Sequence, residues 1–333
     1  MSKSKKRMPT WFGPLMALVL LSIALSFVSS SFLTLDNWMN ILRQASINSC
    51  VALGMLMVLL TGGIDLSVGP MVALTSCTMG VMMMNGITNP LILILAALAV
   101  GICCGGINGL LFTKLKLPHP FVSTMGSRMV YRGLALLITG SAPIAGFSKA
   151  ITFAGSANIG FFPVCFLLVI IIFVIAGIFL GQTPLGRKIY SVGGNKEAAR
   201  LSGINVFGTL NFVYIMSGVM CAIAGIIMVG RVGTATPLAG ETFDMDDIAA
   251  CVIGGASFLG GKGTVQGTLI GAVLIAIIRN GLNLLGAQTD MQYIVIGCVI
   301  ILAVLVDVIR GNAEITSRRK SRAKTQLEKK DEE

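Results

Sequence analysis

Long apolar stretches separated by short polar segments make up most of the chain. A helix needs about 20 predominantly apolar residues to cross a bilayer, and stretches near that length recur from residue 14 to residue 309. The pattern predicts an all-α polytopic membrane protein with about ten transmembrane helices. The segment TLDNWMNILRQ predicts a separate interfacial helix with Asp36 capping its start. The predicted spans are 14–33, 44–61, 68–85, 91–112, 120–140, 162–181, 209–230, 246–260, 264–285 and 291–309.

The composition supports a lipid environment. Only 12% of the 333 residues are charged, whereas soluble domains carry about 25%. With the N-terminus inside, most of the 25 Lys and Arg residues fall on the cytoplasmic side, as the positive-inside rule requires. The net charge of +11 therefore indicates orientation in a membrane rather than a nucleic-acid partner. We expect both termini in the cytoplasm, with a basic N-terminus at 1–13, a transmembrane domain at 14–309, a cytoplasmic loop at 182–208 and a charged tail at 310–333.

A polar island, GGNKEAARLSGINV, interrupts the apolar pattern inside the predicted cytoplasmic loop. Asn195 suits an N-cap, and a glycine at position 203 suits a left-handed stop, so a helix is predicted from Lys196 to Ser202. A helix this short is marginal alone in water and needs a surface to pack on. That surface is either another protein, reached through the small alanine face and the two charges, or the chain's own loop. The residues of this candidate docking helix are Asn195, Lys196, Glu197, Ala198, Ala199, Arg200 and Gly203.

A few polar residues inside the spans are candidates for a translocation pathway, because such groups are costly in lipid and usually face a cavity or a partner. Asp65 either caps a helix starting at Leu66 or lines the pathway. Arg128 and Arg132 lie four apart, on one helical face. Asp246 and Asp247 are expected at the mouth of the eighth span, and Arg279 lies inside the ninth. The full set of pathway candidates is Asp65, Asn108, Arg128, Arg132 and Asn280.

Two glycine ladders recur at four-residue spacing and predict smooth helix faces for close packing. A weak internal sequence repeat is visible between TGGIDLSVG and IGGASFLGG, which share three glycines at the same spacing. Both segments are expected to face the cytoplasm. The ladder residues are Gly101, Gly105 and Gly109 in the first ladder and Gly263, Gly267 and Gly271 in the second.

No catalytic or metal-binding constellation is predicted. The only histidine, His119, is expected to be a loop residue, and the eight cysteines have no metal-ligand spacing, so free thiols are expected. The segment ASFLGGKGT lacks the first glycine and the final Ser or Thr of a phosphate-binding loop. Nucleotide binding is therefore expected on another polypeptide, and no cofactor is expected on this chain.

Several segments carry a family resemblance. Glu197-Ala198-Ala199 followed by Gly203 matches the EAA---G signature of permease subunits of binding-protein-dependent ABC importers. With LTGGIDLSVG, TPLGRKIYSVGGNKEAARLSGINV and DDIAACVIGGASFLGGKGTVQGTLIGAVL, the chain resembles the ribose permease family from about Phe32 to Asp307. Permeases that import the cyclic sugar-like autoinducer belong to the same family and fit nearly as well.

The resemblance implies a type II ABC importer-like permease in the bacterial inner membrane. Its implied partners are a second permease subunit (itself or a paralogue), a cytoplasmic ATPase that binds ATP and Mg²⁺, and an extracytoplasmic sugar-binding protein. The helix at 196–202 would be the coupling helix of the ATPase contact. Two rivals stay open: an ion-coupled secondary transporter, which usually needs buried carboxylates, and a channel-like protein, which needs a ring of charges.

Overall fold

The computed structural model describes residues 11–115, 119–305 and 308–309, and these are mostly helical. Residues 1–10 of the predicted N-terminal segment 1–13, and the whole predicted tail 310–333, lie outside the described residues. The helices are α1 (Phe12–Val28), α2 (Leu35–Leu60), α3 (Val68–Met84), α4 (Pro90–Thr113), α5 (Pro120–Thr139), α6 (Lys149–Ser156), α7 (Val164–Gln182), α8 (Pro184–Gly194), α9 (Lys196–Leu201), α10 (Val206–Val232), α11 (Phe243–Ile253), α12 (Val265–Leu284) and α13 (Thr289–Leu305).

Four two-residue strands form two small antiparallel ribbons. β1 (Ile144–Ala145) pairs with β4 (Thr234–Ala235), and β2 (Asn158–Ile159) pairs with β3 (Phe162–Pro163). The first ribbon ties the segment after α5 to the segment after α10. Both ribbons lie on the side predicted to be extracytoplasmic.

Helix α2 forms the centre of the unit that ends at Gln288. Every residue from 45 to 60 is buried, as expected for a helix that is hydrophobic all round. Helices α7, α10, α11 and α12 all pack against it. By contrast, α4 and α7 expose large apolar side chains such as Leu91, Leu95, Ile171 and Ile175, which suits lipid.

Five described helices, α2, α4, α7, α10 and α12, are long and apolar enough to cross a membrane, and α1, α3 and α13 are shorter apolar helices. These findings support a polytopic membrane protein. Helix α13 belongs to a separate compact unit that begins at Thr289, and it exposes apolar side chains including Ile294, Ile301 and Leu302.

Three non-helical stretches interrupt the bundle, at 61–67, 236–242 and 254–264. Each contains glycines with positive φ, a conformation that side chains with a Cβ rarely adopt. The second stretch meets the first turn of α3 where Gly69 and Gly240 touch: a methyl group on Gly69 would overlap the carbonyl oxygen of Gly240. The positive-φ glycines of these three stretches are Gly62, Gly240, Gly255, Gly260, Gly261 and Gly263.

Two sequence-based predictions of helices are wrong. The predicted eighth span at 246–260 is instead α11, whose 11 residues measure about 17 Å at the usual rise, too short to cross a bilayer. It ends where Gly254 and Gly255 turn the chain. The predicted separate interfacial helix is the first part of the continuous α2, with Asp36 in its first turn and Thr34 at the N-cap.

Candidate functional site

The candidate docking helix forms as α9, with both ends satisfied as predicted. The Asn195 Oδ1 atom accepts a hydrogen bond from the Ala198 amide at 2.9 Å. At the other end Gly203 has a φ of +79°, in the left-handed region. Its amide donates to the Arg200 carbonyl at 3.0 Å, and the Ile204 amide donates to the Ala199 carbonyl at 3.1 Å. This double pattern is a Schellman motif, which stops the helix.

One face of α9 packs inward and the other is exposed. Ala199 is 5% exposed and forms a small core with Val192 of α8 and Leu210 of α10. The predicted docking face contained both alanines. Only Ala198 is exposed for such a contact, because Ala199 is covered by the chain itself. The exposed residues of the helix are Lys196, Glu197, Ala198, Arg200 and Leu201.

The charges on this face contact each other and the neighbouring helix. Glu197 and Arg200 form an ion pair at 3.1 Å, with both side chains mostly exposed. Such a pair contributes little to stability in water, so both groups remain free to exchange partners. The Lys196 ammonium lies 4.9 Å from the centre of the Phe112 ring at the end of α4, which attaches the helix to the bundle through a cation–π contact.

Helix α8, which leads into α9, was not predicted from the sequence. Thr183 caps it by accepting a hydrogen bond from the Gly186 amide at 3.1 Å, and Pro184 occupies its first turn. The Thr-Pro pair is a helix-start signal that could have revealed it. Tyr190 on α8 donates a hydrogen bond to the Gly263 carbonyl at 2.9 Å. Burial raises the pKa of Tyr190, so its hydroxyl stays protonated and remains a donor.

Asp65 lies in a buried polar cluster rather than at a solvent-facing turn. Its Oδ1 atom accepts hydrogen bonds from the Ser67 amide at 3.0 Å and hydroxyl at 2.6 Å, and its Oδ2 accepts from Ser217 of α10 at 3.0 Å. The side chain is fully buried. The predicted cap of a helix starting at Leu66 is wrong, because α3 begins at Val68 with Ser67 at its N-cap; the bond to the Ser67 amide instead closes a turn before the helix.

The cluster continues through Asn108, another pathway candidate. Its Nδ2 donates to the Ser67 hydroxyl at 2.7 Å, and Tyr131 of α5 donates to its Oδ1 at 3.0 Å. Helices α3, α4, α5 and α10 thus meet at one hydrogen-bonded network. The two-residue spacing of Asp65 and Ser67 is a recognisable turn signal. Nothing in the sequence indicated Ser217 or Tyr131.

The two arginines of α5 hold the stretch before α11. Arg132 donates hydrogen bonds to the carbonyls of Pro237 and Ala239, the second at 2.9 Å. Arg128 forms an ion pair with Asp244 at 2.7 Å. The shared helical face was therefore predicted correctly. The arginines bind the stretch 236–242 and the first turn of α11, and Arg128 keeps 29% of its side-chain surface exposed.

A second polar group lies along α11 and α12. Arg279 pairs with Asp246 through two hydrogen bonds, at 2.8 and 2.9 Å, and only 1% of the Asp246 side chain is exposed. Asn280 exchanges two amide hydrogen bonds with Asn37 at the start of α2. Asp247 is fully buried, and neither of its oxygens has a hydrogen-bond partner among the described residues. Buried carboxylates are therefore more numerous than the sequence indicated.

The glycine ladders lie at close backbone crossings, with one exception. A methyl group on Gly101 or Gly105 would overlap backbone carbonyls of α10, and Gly109 faces Asn211 on the same helix. In the second ladder, Gly267 and Gly271 pack against α11 in the same way. Gly263 precedes α12 and does not belong to that helix face. Glycine at these positions lets the helices approach closely.

The described cysteines are free, as predicted. Among the described residues no group of three His, Cys, Asp or Glu side chains could hold a metal ion. His119 is the N-cap of α5, where its Nδ1 accepts a hydrogen bond from the Phe121 amide at 3.3 Å.

The chain matches the family described as branched-chain amino acid transport system / permease component over residues 37–304. It is 43% identical over 298 residues to the ribose import permease protein RbsC of Bacillus subtilis, covering 89% of this chain and 92% of that protein. It is 38% identical to the D-allose transport system permease protein AlsC of Escherichia coli, covering 87% and 88%. For the galactose/methyl galactoside import permease protein MglC of Haemophilus influenzae the identity is 37%, covering 87% and 91%. No solved structure matches the chain.

These matches extend over the interrupted helices, the buried cluster around Asp65 and the capped helix α9. They confirm the resemblance inferred from the sequence motifs. The chain belongs to the branched-chain amino acid transport system / permease component family, and its relatives include import permeases for ribose and galactose and a D-allose transport system permease.

Proposed function

We propose that the chain is the membrane subunit of an ABC importer that moves a monosaccharide, a ribose-like pentose or a hexose, across the bacterial inner membrane. The observation that carries this proposal is the 43% identity to a ribose import permease over 89% of the chain. The related permeases named above are those of ribose, allose and galactose, which share a ring with several hydroxyl groups. ATP hydrolysis drives the transport.

The ATPase is a separate cytoplasmic subunit, which binds ATP and Mg²⁺ and docks on α9. Two features of this helix support the contact. Because both of its ends are capped, the helix is already formed before any partner binds. Its outer face presents Glu197, Arg200 and Leu201, which is 79% exposed. The loop that holds ASFLGGKGT lacks the residues a phosphate-binding loop needs, so the nucleotide chemistry belongs to the partner.

The complete importer contains two permease subunits, as a homodimer or with a paralogue, and a sugar-binding protein on the outer side. The proposed route for the sugar runs near the polar residues that α5, α11 and the stretch 236–242 bring together. Arg128, with part of its side chain exposed, is the pathway candidate best placed to meet a hydroxylated substrate.

The test is uptake by cells that lack their own monosaccharide importers and express this chain with its cognate ATPase and binding protein. Radiolabelled D-ribose, D-allose and D-galactose are supplied separately, and the cyclic autoinducer is supplied in a fourth arm. Uptake of one monosaccharide that disappears when the ATPase is inactivated supports the proposal. Uptake of the autoinducer alone would assign the chain to the other branch of the family.

The buried carboxylates give an ion-coupled secondary transporter one favourable observation. Asp65, Asp244, Asp246 and Asp247 are all almost completely buried, and such residues often carry coupled protons or cations. The two mechanisms differ in their energy source. Uptake that survives loss of the ATPase but collapses with a protonophore would favour the secondary transporter.

A further inference from the structure

The C-terminal turn of α8 makes an unusually close contact with the centre of the bundle. A methyl group on Gly193 would overlap the carbonyl oxygen of Leu60 and would lie 2.7 Å from the Gly261 amide nitrogen. A methyl group on the next residue, Gly194, would meet no heavy atom within 4 Å. The close contact therefore belongs to one face of α8 and to one of two adjacent glycines.

Three segments meet at this contact. The Gly261 amide donates a hydrogen bond to the Leu60 carbonyl at 2.9 Å. Leu60 is the last residue of α2, and Gly261 lies in the stretch 254–264 between α11 and α12. Gly193 packs against both, so backbone touches backbone without an intervening side chain.

A second bond on the same face of α8 reaches the same stretch. Tyr190 precedes Gly193 by three residues, and residues three apart share a helix face. Its hydroxyl donates to the Gly263 carbonyl at 2.9 Å. Helix α8 is thus held to the stretch 254–264 at two points, Gly261 and Gly263, and to the end of α2 at a third.

The contacted segments lead directly to the interior of the protein. After Leu60 the chain enters the stretch 61–67, which carries Asp65 into its cluster with Ser67 and Ser217. After Gly263 the chain enters α12, which carries Arg279 and its pair with Asp246. A displacement of α8 that moves Leu60 or Gly263 also moves the start of these segments.

We propose that Gly193 and Tyr190 form a rigid link between the docking helix and the interior. Through this link, motion of α9 and the adjoining α8 is transmitted to the stretches 61–67 and 254–264. The inference rests on the proposed function, because the motion originates in the ATPase. Close-packed interiors transmit displacement because they compress little. Direct backbone contact has no flexible side chain to absorb it. Gly193 and Tyr190 are positioning residues, since neither needs to touch the sugar or the nucleotide.

The test uses the whole importer, assembled from this chain, its ATPase and its binding protein, in proteoliposomes with radiolabelled D-ribose, D-allose and D-galactose as probes. The variants are Gly193→Ala, which forces α8 away from Leu60, and Tyr190→Phe, which removes only the hydroxyl bond. Gly194→Ala is the matched glycine control, and Tyr293→Phe at a half-exposed tyrosine of α13 is the matched tyrosine control.

Three quantities are measured: the amount of assembled complex, the rate of ATP hydrolysis and the sugar transported per ATP. We expect both variants to assemble and hydrolyse ATP like the controls, while transport per ATP falls about tenfold in Gly193→Ala and about threefold in Tyr190→Phe, within the range that single coupling positions produce. A purely structural role would instead reduce the amount of complex and leave the ratio in the surviving complex unchanged.

Wild-type ratios in both variants would overturn the inference, and so would a loss of assembled complex with a normal ratio in what remains. Failure of the proposed function looks different, because it appears in the wild-type complex. A wild-type complex that transports none of the three sugars would overturn both.

Discussion

Polar side chains inside the bundle are held by partners from distant parts of the chain. Asp65 accepts a hydrogen bond from Ser217, and Asp246 receives two from Arg279. Burying a charge is costly, and pairing and hydrogen bonds offset that cost. These residues therefore fix how α2, α10, α11 and α12 fit together, and the loss of either partner exposes the other to an apolar environment.

Replacing Arg279 should show this dependence. Arg279→Met leaves the buried Asp246 carboxylate without its countercharge and should lower the free energy of unfolding by about 3 kcal/mol. The measurement is the melting temperature of the purified protein in detergent. The double variant Arg279→Met/Asp246→Asn removes both charges and should recover most of the loss. A single variant that melts with the wild type would refute the stabilising role of the pair.

The charge of Glu197 should matter to the ATPase rather than to the fold. Glu197→Lys reverses an exposed charge on α9, and charge reversal across an interface weakens association. We expect about tenfold less ATPase to co-purify with the permease. The control Lys149→Glu reverses an exposed charge on α6, on the side predicted to be extracytoplasmic, and should leave the yield of complex unchanged. An unchanged yield of complex with Glu197→Lys would reject this residue as a contact.

Gly203 should be needed for its backbone conformation. The site is open, with no heavy atom within 4 Å of an added Cβ, but its φ is +79°. Leucine in a left-handed conformation costs about 1–2 kcal/mol, so Gly203→Leu should distort the end of α9 and impair ATPase docking without preventing membrane insertion. Gly203→Asn should dock normally, because asparagine tolerates this conformation. Normal sugar-stimulated ATP hydrolysis by Gly203→Leu would count against the coupling role of α9.

At the scale of helices and loops, regular elements could be predicted and interruptions could not. Hydrocarbon length predicted α4, α7 and α10 well, and side-chain chemistry predicted both ends of α9. Residues 254–260 are predicted as the end of the eighth span because most of them are apolar or glycine, but they lie in the non-helical stretch 254–264. Its path depends on contacts with Leu60 and Gly193, which lie far away in the sequence.

The candidate site shows the same division. The sequence indicated Asp65 and Asn108 as single polar residues within apolar stretches. The spacing of Asp65 and Ser67 signals a turn, but the sequence could not indicate that Asn108 binds Ser67 or that Ser217 and Tyr131 complete the cluster. Those partners are small or amphipathic residues with no distinguishing pattern, and only the packing of four helices brings them together.

The crossing of α4 and α10 gives a prediction at this scale. Gly105→Ala would place a methyl group against the Tyr214 carbonyl, whereas the neighbouring Gly106→Ala would meet only the Ile215 side chain at 3.9 Å. Overpacking a tight contact costs about 1–3 kcal/mol. We expect a lower melting temperature for Gly105→Ala and a wild-type value for Gly106→Ala. Equal melting temperatures would show that the helices can separate without cost.

The unit that ends at Gln288 is an interrupted helical bundle that carries the candidate docking helix α9. The end of α2 and the stretch 254–264 meet at the Leu60–Gly261 hydrogen bond, and Gly193 near the end of α8 packs against that bond. The buried clusters around Asp65 and Arg279 are continuous with those same segments. This arrangement suits the proposed function, in which the interior responds to an ATPase on another polypeptide.

The proposed ATP-driven import is tested most directly by sugar accumulation in proteoliposomes that contain the permease, its ATPase and its binding protein. ATP is supplied on the ATPase side, and a protonophore and a sodium ionophore remove ion gradients. We expect accumulation of one monosaccharide. This accumulation should require hydrolysable ATP and the binding protein, and the ionophores should not affect it. Accumulation that needs an ion gradient and proceeds without ATP would contradict it.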